Sequence, residues 1–229
     1  MTATPRERTS ESDTFDYQTF TAKYPGATIA KYPAGTVVFT QGDRAEALYY
    51  IISGNAKVTV VSEHGKEAVP ALLKAGDFFG EECLEARHRR SATLTATTDC
   101  EMACFNRETI ATALGQDPAF AHLFMSYVLN QNEKLREDLL DQMFNSSEKR
   151  LARILLALAS PGLGDQSSEI AIPVTQETLA NMVGTTRSRI NQFMIKFRKL
   201  GYVDYDGKIR VHNSLLNIIL DNRPQTEAC

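Results

Sequence analysis

At 229 residues, 43% hydrophobic and 23% charged, the chain has the composition of a soluble globular protein with one large or two modest domains. A net charge of −3 excludes an indiscriminate coater of nucleic acid, and no apolar run approaches the roughly 20 residues that span a bilayer. That average hides an asymmetry: residues 146–229 hold 11 Lys/Arg against 8 Asp/Glu, while residues 1–145 hold 14 against 20, so a basic, nucleic-acid-binding part is expected beside an acidic part with another task.

Residues 1–24 read as a loosely attached arm. Met1 to Asp16 is polar and mixed in charge without the apolar centre of a signal peptide, so a cytoplasmic location is expected. Residues 25–116 read as short strands: Gly35–Phe39, Leu48–Ile52, Ala56–Val61, Glu67–Leu73 and Ala92–Phe105. Turn signals at Gly42-Asp43, Ser53-Gly54-Asn55, His64-Gly65 and Ala75-Gly76-Asp77 separate them. Many short strands at near-regular spacing predict a small β-barrel or jelly roll.

From Asp117 to Met143 there is no Gly, and no Pro after Pro118. Phe120, Phe124, Val128, Leu135 and Leu139 recur as on one helix face. One long helix is predicted over residues 117–145, with Phe124, Val128, Leu135 and Leu139 forming the seam of a homodimer. Ser146 or Ser147 caps a further helix, Glu148–Ser160. A loop, Pro161–Asp165, and a short strand, Ile170–Val174, follow, and the C-terminal domain covers 146–229.

The run from Thr175 to Arg210 carries the sharpest signal. Leu179, Ala180 and Val183 give a first helix its apolar face, Gly184 ends it, and Thr185 or Thr186 caps a second. That second helix buries Ile190, Phe193, Met194 and Phe197 and exposes Arg187, Ser188, Arg189, Asn191 and Gln192. Between Thr186 and Lys199 stand five basic residues and no acid. A wing follows, Tyr202–Tyr205 and Lys208–Val211 around Asp206-Gly207, before a last helical turn at Ser214–Leu220. Helix, tight turn, basic helix and hairpin predict a winged helix-turn-helix whose second helix enters the major groove of double-stranded DNA.

A second informative segment is Gly76-Asp77-Phe78-Phe79-Gly80-Glu81-Glu82-Cys83-Leu84, followed by Arg89-Arg90-Ser91-Ala92. Backbone amides of a tight turn, an arginine and a serine suit a phosphate, and Glu81 can accept from a sugar hydroxyl. Phosphate and ribose together mean a nucleotide.

These segments, with Pro33-Ala34-Gly35, Leu48-Tyr49-Tyr50-Ile51-Ile52-Ser53-Gly54 and Gly65-Lys66-Glu67, are similar to the cyclic-AMP receptor protein and fumarate-nitrate regulator (Crp/Fnr) superfamily of bacterial transcription factors, from about Tyr32 to Val211. The resemblance implies an α+β fold: an eight-stranded jelly roll, a long dimerisation helix and a winged helix-turn-helix domain. A ligand in the roll reorients the two DNA-binding domains of a homodimer to fit a palindromic operator, and RNA polymerase is a candidate further partner. Gly80 and Glu81 match the family's phosphate cassette, with Phe79, Glu82 and Cys83 flanking them. Arg90 matches the phosphate-pairing arginine and Ser91 its neighbouring hydroxyl. The loop is one residue shorter than in the cyclic-AMP receptor protein, so Arg89 is a rival. On the long helix, Leu135 and Arg136 stand where the family reads the purine. The effector expected is therefore cyclic AMP, cyclic GMP, cyclic di-GMP or none, and the alternative is a constitutive regulator whose roll binds no nucleotide; no cofactor is required.

Arg187 matches the family's first base-reading arginine, while Ser188 and Gln192 replace its glutamate and second arginine. Arg187 suits guanine and Gln192 adenine; Thr175, Gln176, Arg189 and Arg198 suit the phosphate backbone, and Thr186, at the start of the second helix, completes the expected DNA-binding set. Cys83, Cys100, Cys104 and Cys229 have no zinc spacing, and no cysteine precedes residue 83 to hold an iron–sulfur cluster of the fumarate-nitrate type. His88, the candidate axial ligand for a haem, reads as a loop residue. No catalytic constellation is present in the sequence, and the chain is not expected to be an enzyme.

Overall fold

The computed structural model describes residues 15–85, 89–159, 167–170, 174–205 and 208–220. His88, the loop Pro161–Asp165, the hairpin turn Asp206-Gly207 and most of the N-terminal arm lie outside these residues, as does Cys229.

The first described element corrects the expectation of a loose arm. Helix α1 (Tyr17–Lys23) is capped by Asp16, whose carboxylate accepts from the amides of Gln18 and Thr19. Phe15, Phe20 and Tyr24 are buried. The Phe15 ring lies 5.0 Å from those of Tyr50 and Phe78 and 6.0 Å from that of Phe105, between centroids. Lys23 pairs with Asp117 at 2.6 Å and ties the helix down.

Eight strands follow: β1 (Ala27–Tyr32), β2 (Val37–Phe39), β3 (Ala47–Ser53), β4 (Asn55–Val61), β5 (Glu67–Lys74), β6 (Phe78–Phe79), β7 (Thr93–Ala96) and β8 (Cys100–Asn106). They form two four-stranded sheets, β1-β8-β3-β6 and β2-β7-β4-β5. Every pairing in them is antiparallel. Leu48, Ile51, Leu94, Met102 and Phe105 are fully buried in the core of this roll. The expected strand Ala92–Phe105 is two strands, because Thr97 and Thr98 donate to the Asn55 carbonyl and turn the chain from one sheet into the other.

Helix α2 (Arg107–Gln116) was not expected; Asn106 caps it by accepting from the Thr109 amide at 2.8 Å. Helix α3 (Pro118–Phe144), capped by Asp117, lies within the expected span 117–145 and is one residue shorter at each end. Its apolar stripe divides. Phe120 and Phe124 are buried in their own roll, which removes Phe124 from the proposed dimer seam. Its ring stands edge-on to Phe78. Val128 is half-buried against the same core. Beyond it, Leu135 is 62% and Leu139 60% exposed, and Leu129, Leu140, Met143 and Phe144 are exposed with them.

The C-terminal domain comprises α4 (Ser147–Leu158), β9 (Ser167–Glu169), α5 (Gln176–Val183), α6 (Arg187–Lys199), β10 (Val203–Tyr205), β11 (Ile209–His212), a 3-10 turn (Asn213–Leu215) and α7 (Leu216–Leu220). Ser146 caps α4 by accepting from the Lys149 amide. Strand β9 precedes the expected strand Ile170–Val174, of which residues 171–173 lie outside the described residues, and completes a sheet of order β10-β11-β9. Leu151, Leu155, Leu179, Val183, Ile190, Phe197 and Leu215 are fully buried in one core. Phe193 and Met194, expected inside, are only partly covered.

Candidate functional site

Strand β6 delivers the chain to Gly80, which takes φ 94° and ψ 26° and opens a 3-10 turn, Glu81–Leu84. This left-handed backbone favours glycine, and a Cβ here would run into Nη1 of Arg90. Gly80 is thus both the bend and the clearance that lets an arginine lie beneath it.

Arg90 is 3% exposed. Its Nη2 donates to the Ala47 carbonyl at 2.7 Å and its Nη1 to the Gly80 carbonyl at 3.2 Å. The guanidinium carbon lies 4.1 Å from the Phe39 ring centre and 5.5 Å from that of Tyr49, which is cation–π range. Nε of Arg90 is buried and has no hydrogen-bond partner among the described residues. Arg89 points elsewhere: it is exposed, and its Nη1 donates to the Gly42 carbonyl at 2.8 Å. Between the two rivals, Arg90 is the one beneath the cassette.

Ser91 follows on the exposed side. Its amide and hydroxyl both face the Glu82 carboxylate, whose Oε1 accepts from Ser91 N at 3.3 Å and from Ser91 Oγ at 3.5 Å. The other oxygen of Glu82 lies 3.8 Å from Nη1 of Arg90. Glu81 is exposed at the surface. Desolvation by the protein around its carboxyl raises the pKa above the ordinary value, and the Glu82 charge adds to this. Cys83 is buried, and desolvation pushes its thiol up to about 11, which makes it an inert filler at neutral pH. Phe79 stacks on Phe39 at 5.6 Å.

Helix α3 reaches this segment through Tyr127. The Tyr127 hydroxyl donates to the Phe78 carbonyl at 2.7 Å and accepts from the Phe78 amide at 3.2 Å. Leu135 and Arg136 lie on the exposed stretch of α3, about 12 Å further along the axis at 1.5 Å per residue. Phe39, Tyr49 and Tyr127 escaped the sequence reading. The only hint of Tyr127 was an aromatic three residues after Phe124, on the same face of the helix.

At the far end of α3, Arg150 gathers three elements. Its Nη1 donates to Gln142 O at 3.2 Å, and its Nη2 to Val183 O at 2.9 Å and Ser147 Oγ at 3.4 Å. Asp141 pairs with Arg153 at 3.0 Å and accepts from Asn145 Nδ2 at 2.7 Å. The long helix is therefore bonded to the helix-turn-helix as well as joined to it by the chain.

In that motif, Thr175 caps α5 by accepting from the Thr178 amide at 3.1 Å. Gly184 ends α5 at φ 72°, and Thr186 caps α6 by accepting from the Arg189 amide at 3.3 Å. Gln176 reaches across to Asn191 at 3.4 Å. Ile190 and Phe197 anchor α6 in the core, and Thr186, Arg187, Ser188, Arg189, Asn191 and Gln192 are exposed together at its N-terminal end. Lys196 pairs with the buried Glu148 at 2.7 Å, which pins α6 to α4. Arg198 is exposed in the last turn of α6, where it also complements the helix dipole. Among the described residues, no cluster of His, Cys, Asp or Glu could hold a metal ion, and no helix is long and apolar enough to cross a membrane.

Comparison with known proteins matches residues 29–117 to the cyclic nucleotide-binding domain and residues 149–214 to the Crp-like helix-turn-helix domain. The chain is 29% identical over 182 residues to the cAMP-activated global transcriptional regulator CRP of Salmonella typhimurium, covering 79% of this chain and 87% of that one. It is 26% identical over 180 residues to the CRP-like cAMP-activated global transcriptional regulator of Mycobacterium tuberculosis, covering 77% and 80%. Its fold is similar to that of the c-di-GMP responsive global regulator CLP of Xanthomonas campestris, with a TM-score of 0.70 at 24% identity over 86% of this chain and 99% of that one.

Proposed function

Since the chain belongs to the Crp/Fnr superfamily of transcription regulators, we propose that it works as a homodimer, reads a palindromic operator with α6, and is gated by a cyclic nucleotide or cyclic dinucleotide in its jelly roll. The observation that carries the gating is the buried guanidinium of Arg90, held rigidly with one N–H unmet among the described residues, beside the amide and hydroxyl of Ser91. Such fixed donors fit a phosphodiester. Relatives named for activation by cAMP and a fold neighbour named for response to c-di-GMP support the ligand class. Glu81, exposed beside the cassette, accepts from a ribose hydroxyl in this reading.

The coupling runs from the cassette through Tyr127 into α3 and out through Arg150 and Asp141 to the DNA-binding domain. Arg187, Ser188 and Gln192 read bases, whereas Thr186, Arg189 and Arg198, with Thr175 and Gln176, hold phosphates. RNA polymerase is a partner to be tested by transcription assays. A second reading, a constitutive regulator, draws on the contact of Glu82 with Ser91 and Arg90.

The deciding experiment is a thermal-shift panel of cyclic AMP, cyclic GMP and cyclic di-GMP on the whole protein, followed by operator binding with any hit. A ligand at a hundred times its Kd stabilises the native state by about 2.7 kcal/mol, a gain that Ser91→Ala is expected to reduce. Specific DNA binding with no response to any of the three favours the constitutive reading. Equal binding to genomic fragments and random competitor overturns the DNA-binding reading.

A further inference from the structure

We propose that the carboxylate of Glu82 is a resident anion in the pocket: it sits on the donors an incoming phosphate would use, and so determines which ligands are admitted. The inference rests on reading this pocket as a nucleotide site. Carboxylate and phosphate share one recognition chemistry, an anionic oxygen facing N–H and O–H donors. Glu82 already has that relation to the amide and hydroxyl of Ser91 and, at longer range, to Nη1 of Arg90.

Two features make this occupation a competition. First, the donors cannot follow a departing anion. The Gly80 and Ala47 carbonyls hold Arg90 from two sides, and it lies over the Phe39 and Tyr49 rings. Second, Glu82 fills the seat poorly. Its contacts of 3.3, 3.5 and 3.8 Å are longer than the roughly 2.7–2.9 Å of a good charge-assisted hydrogen bond, and Nε of Arg90 stays without a partner among the described residues. An anion of better shape can therefore take the place, provided that the carboxylate moves aside. Two negative groups on the same donors repel each other, so Glu82 raises the threshold for every anionic ligand.

The test uses the full-length protein as wild type, Glu82→Ala and Glu82→Gln. Hydrogen exchange without nucleotide is read at the Ser91 amide, and titration calorimetry with cyclic AMP, cyclic GMP and cyclic di-GMP gives affinities. Exchange at Ser91 at least about tenfold faster in Glu82→Ala, with at least one nucleotide bound about tenfold or more tightly by Glu82→Gln than by wild type, is the expected result. Unchanged exchange overturns the proposal, as does binding of one or more of the nucleotides with none of them held more tightly by Glu82→Gln than by wild type. Faster exchange with none of the three nucleotides bound by any protein supports the resident anion and instead removes the nucleotide reading of the pocket. If Glu82→Ala does not fold, both measurements are made on Glu82→Gln.

Discussion

Backbone carbonyls and aromatic faces replace water around the buried guanidinium of Arg90. The same bonds make Arg90→Ala a blunt probe, since it strips a donor from the Ala47 carbonyl and from that of Gly80, which keeps the Cys83 amide, and a buried group left unsatisfied costs about 1–3 kcal/mol. Ser91→Ala asks the phosphate question more cleanly. At the DNA end, Gln192 is exposed and Arg187 stands in the first turn of α6. In a panel of operators mutated one base pair at a time, Gln192→Ala is expected to erase discrimination at one adenine position per half-site. The loss is about 1–3 kcal/mol there and little elsewhere. Unchanged preference at every base would overturn that assignment. Thr175 shows how one residue can serve two readings: the hydroxyl proposed for phosphate already accepts from the Thr178 amide as a helix cap.

Among the elements, α3 has two personalities. Its first three turns face the roll through Phe120, Phe124 and Tyr127, while later turns carry exposed Leu135, Leu139, Leu140, Met143 and Phe144. Leu135→Glu combined with Leu139→Glu is therefore expected to shift sedimentation from dimer to monomer while circular dichroism stays native-like. Phe124→Glu is expected to unfold the roll, because a buried, unpaired charge has no compensation there. From the sequence, the helix and its stripe were legible at 3.6-residue spacing, but periodicity cannot say whether an apolar face meets its own domain or a second copy. The helix-turn-helix was legible almost to the residue, because Thr175, Gly184 and Thr186 are local signals that act where they stand. Helix α2 was hidden: its buried positions are Thr109, Ile110 and Ala113, too small and polar to form a stripe. Strands β1 and β6 were missed for related reasons. The first has no fully buried residue, and the second is two residues long. At the pocket, the Gly80-Glu81 and Arg90-Ser91 pairs were visible as motifs. The packing of Arg90 between Phe39, Tyr49 and the Ala47 carbonyl depends on strands distant in sequence.

At the scale of the whole molecule, α5 lies beside β5 of the roll, so the reading domain rests on the sensing domain as well as hanging from α3. Allosteric coupling between such sites is a free energy, typically 1–3 kcal/mol or about 5–150-fold. Tyr127→Phe removes the hydroxyl that bonds to Phe78 and leaves the ring in place. The ratio of operator affinities with and without effector is expected to fall toward one, while effector affinity changes much less. A purely structural role for Tyr127 would move both together. Phe15 packs against the same Phe78 as Tyr127 does, and its ring also touches those of Phe20, Tyr50, Phe105 and Phe120. Trimming that ring to a methyl, as in Phe15→Ala, leaves an oily, benzene-shaped hollow and is expected to cost about 3–5 kcal/mol. Such hollows stay dry and take up guests. Benzene or xenon is thus expected to restore part of the lost melting temperature, in proportion to its concentration, and only in the trimmed protein.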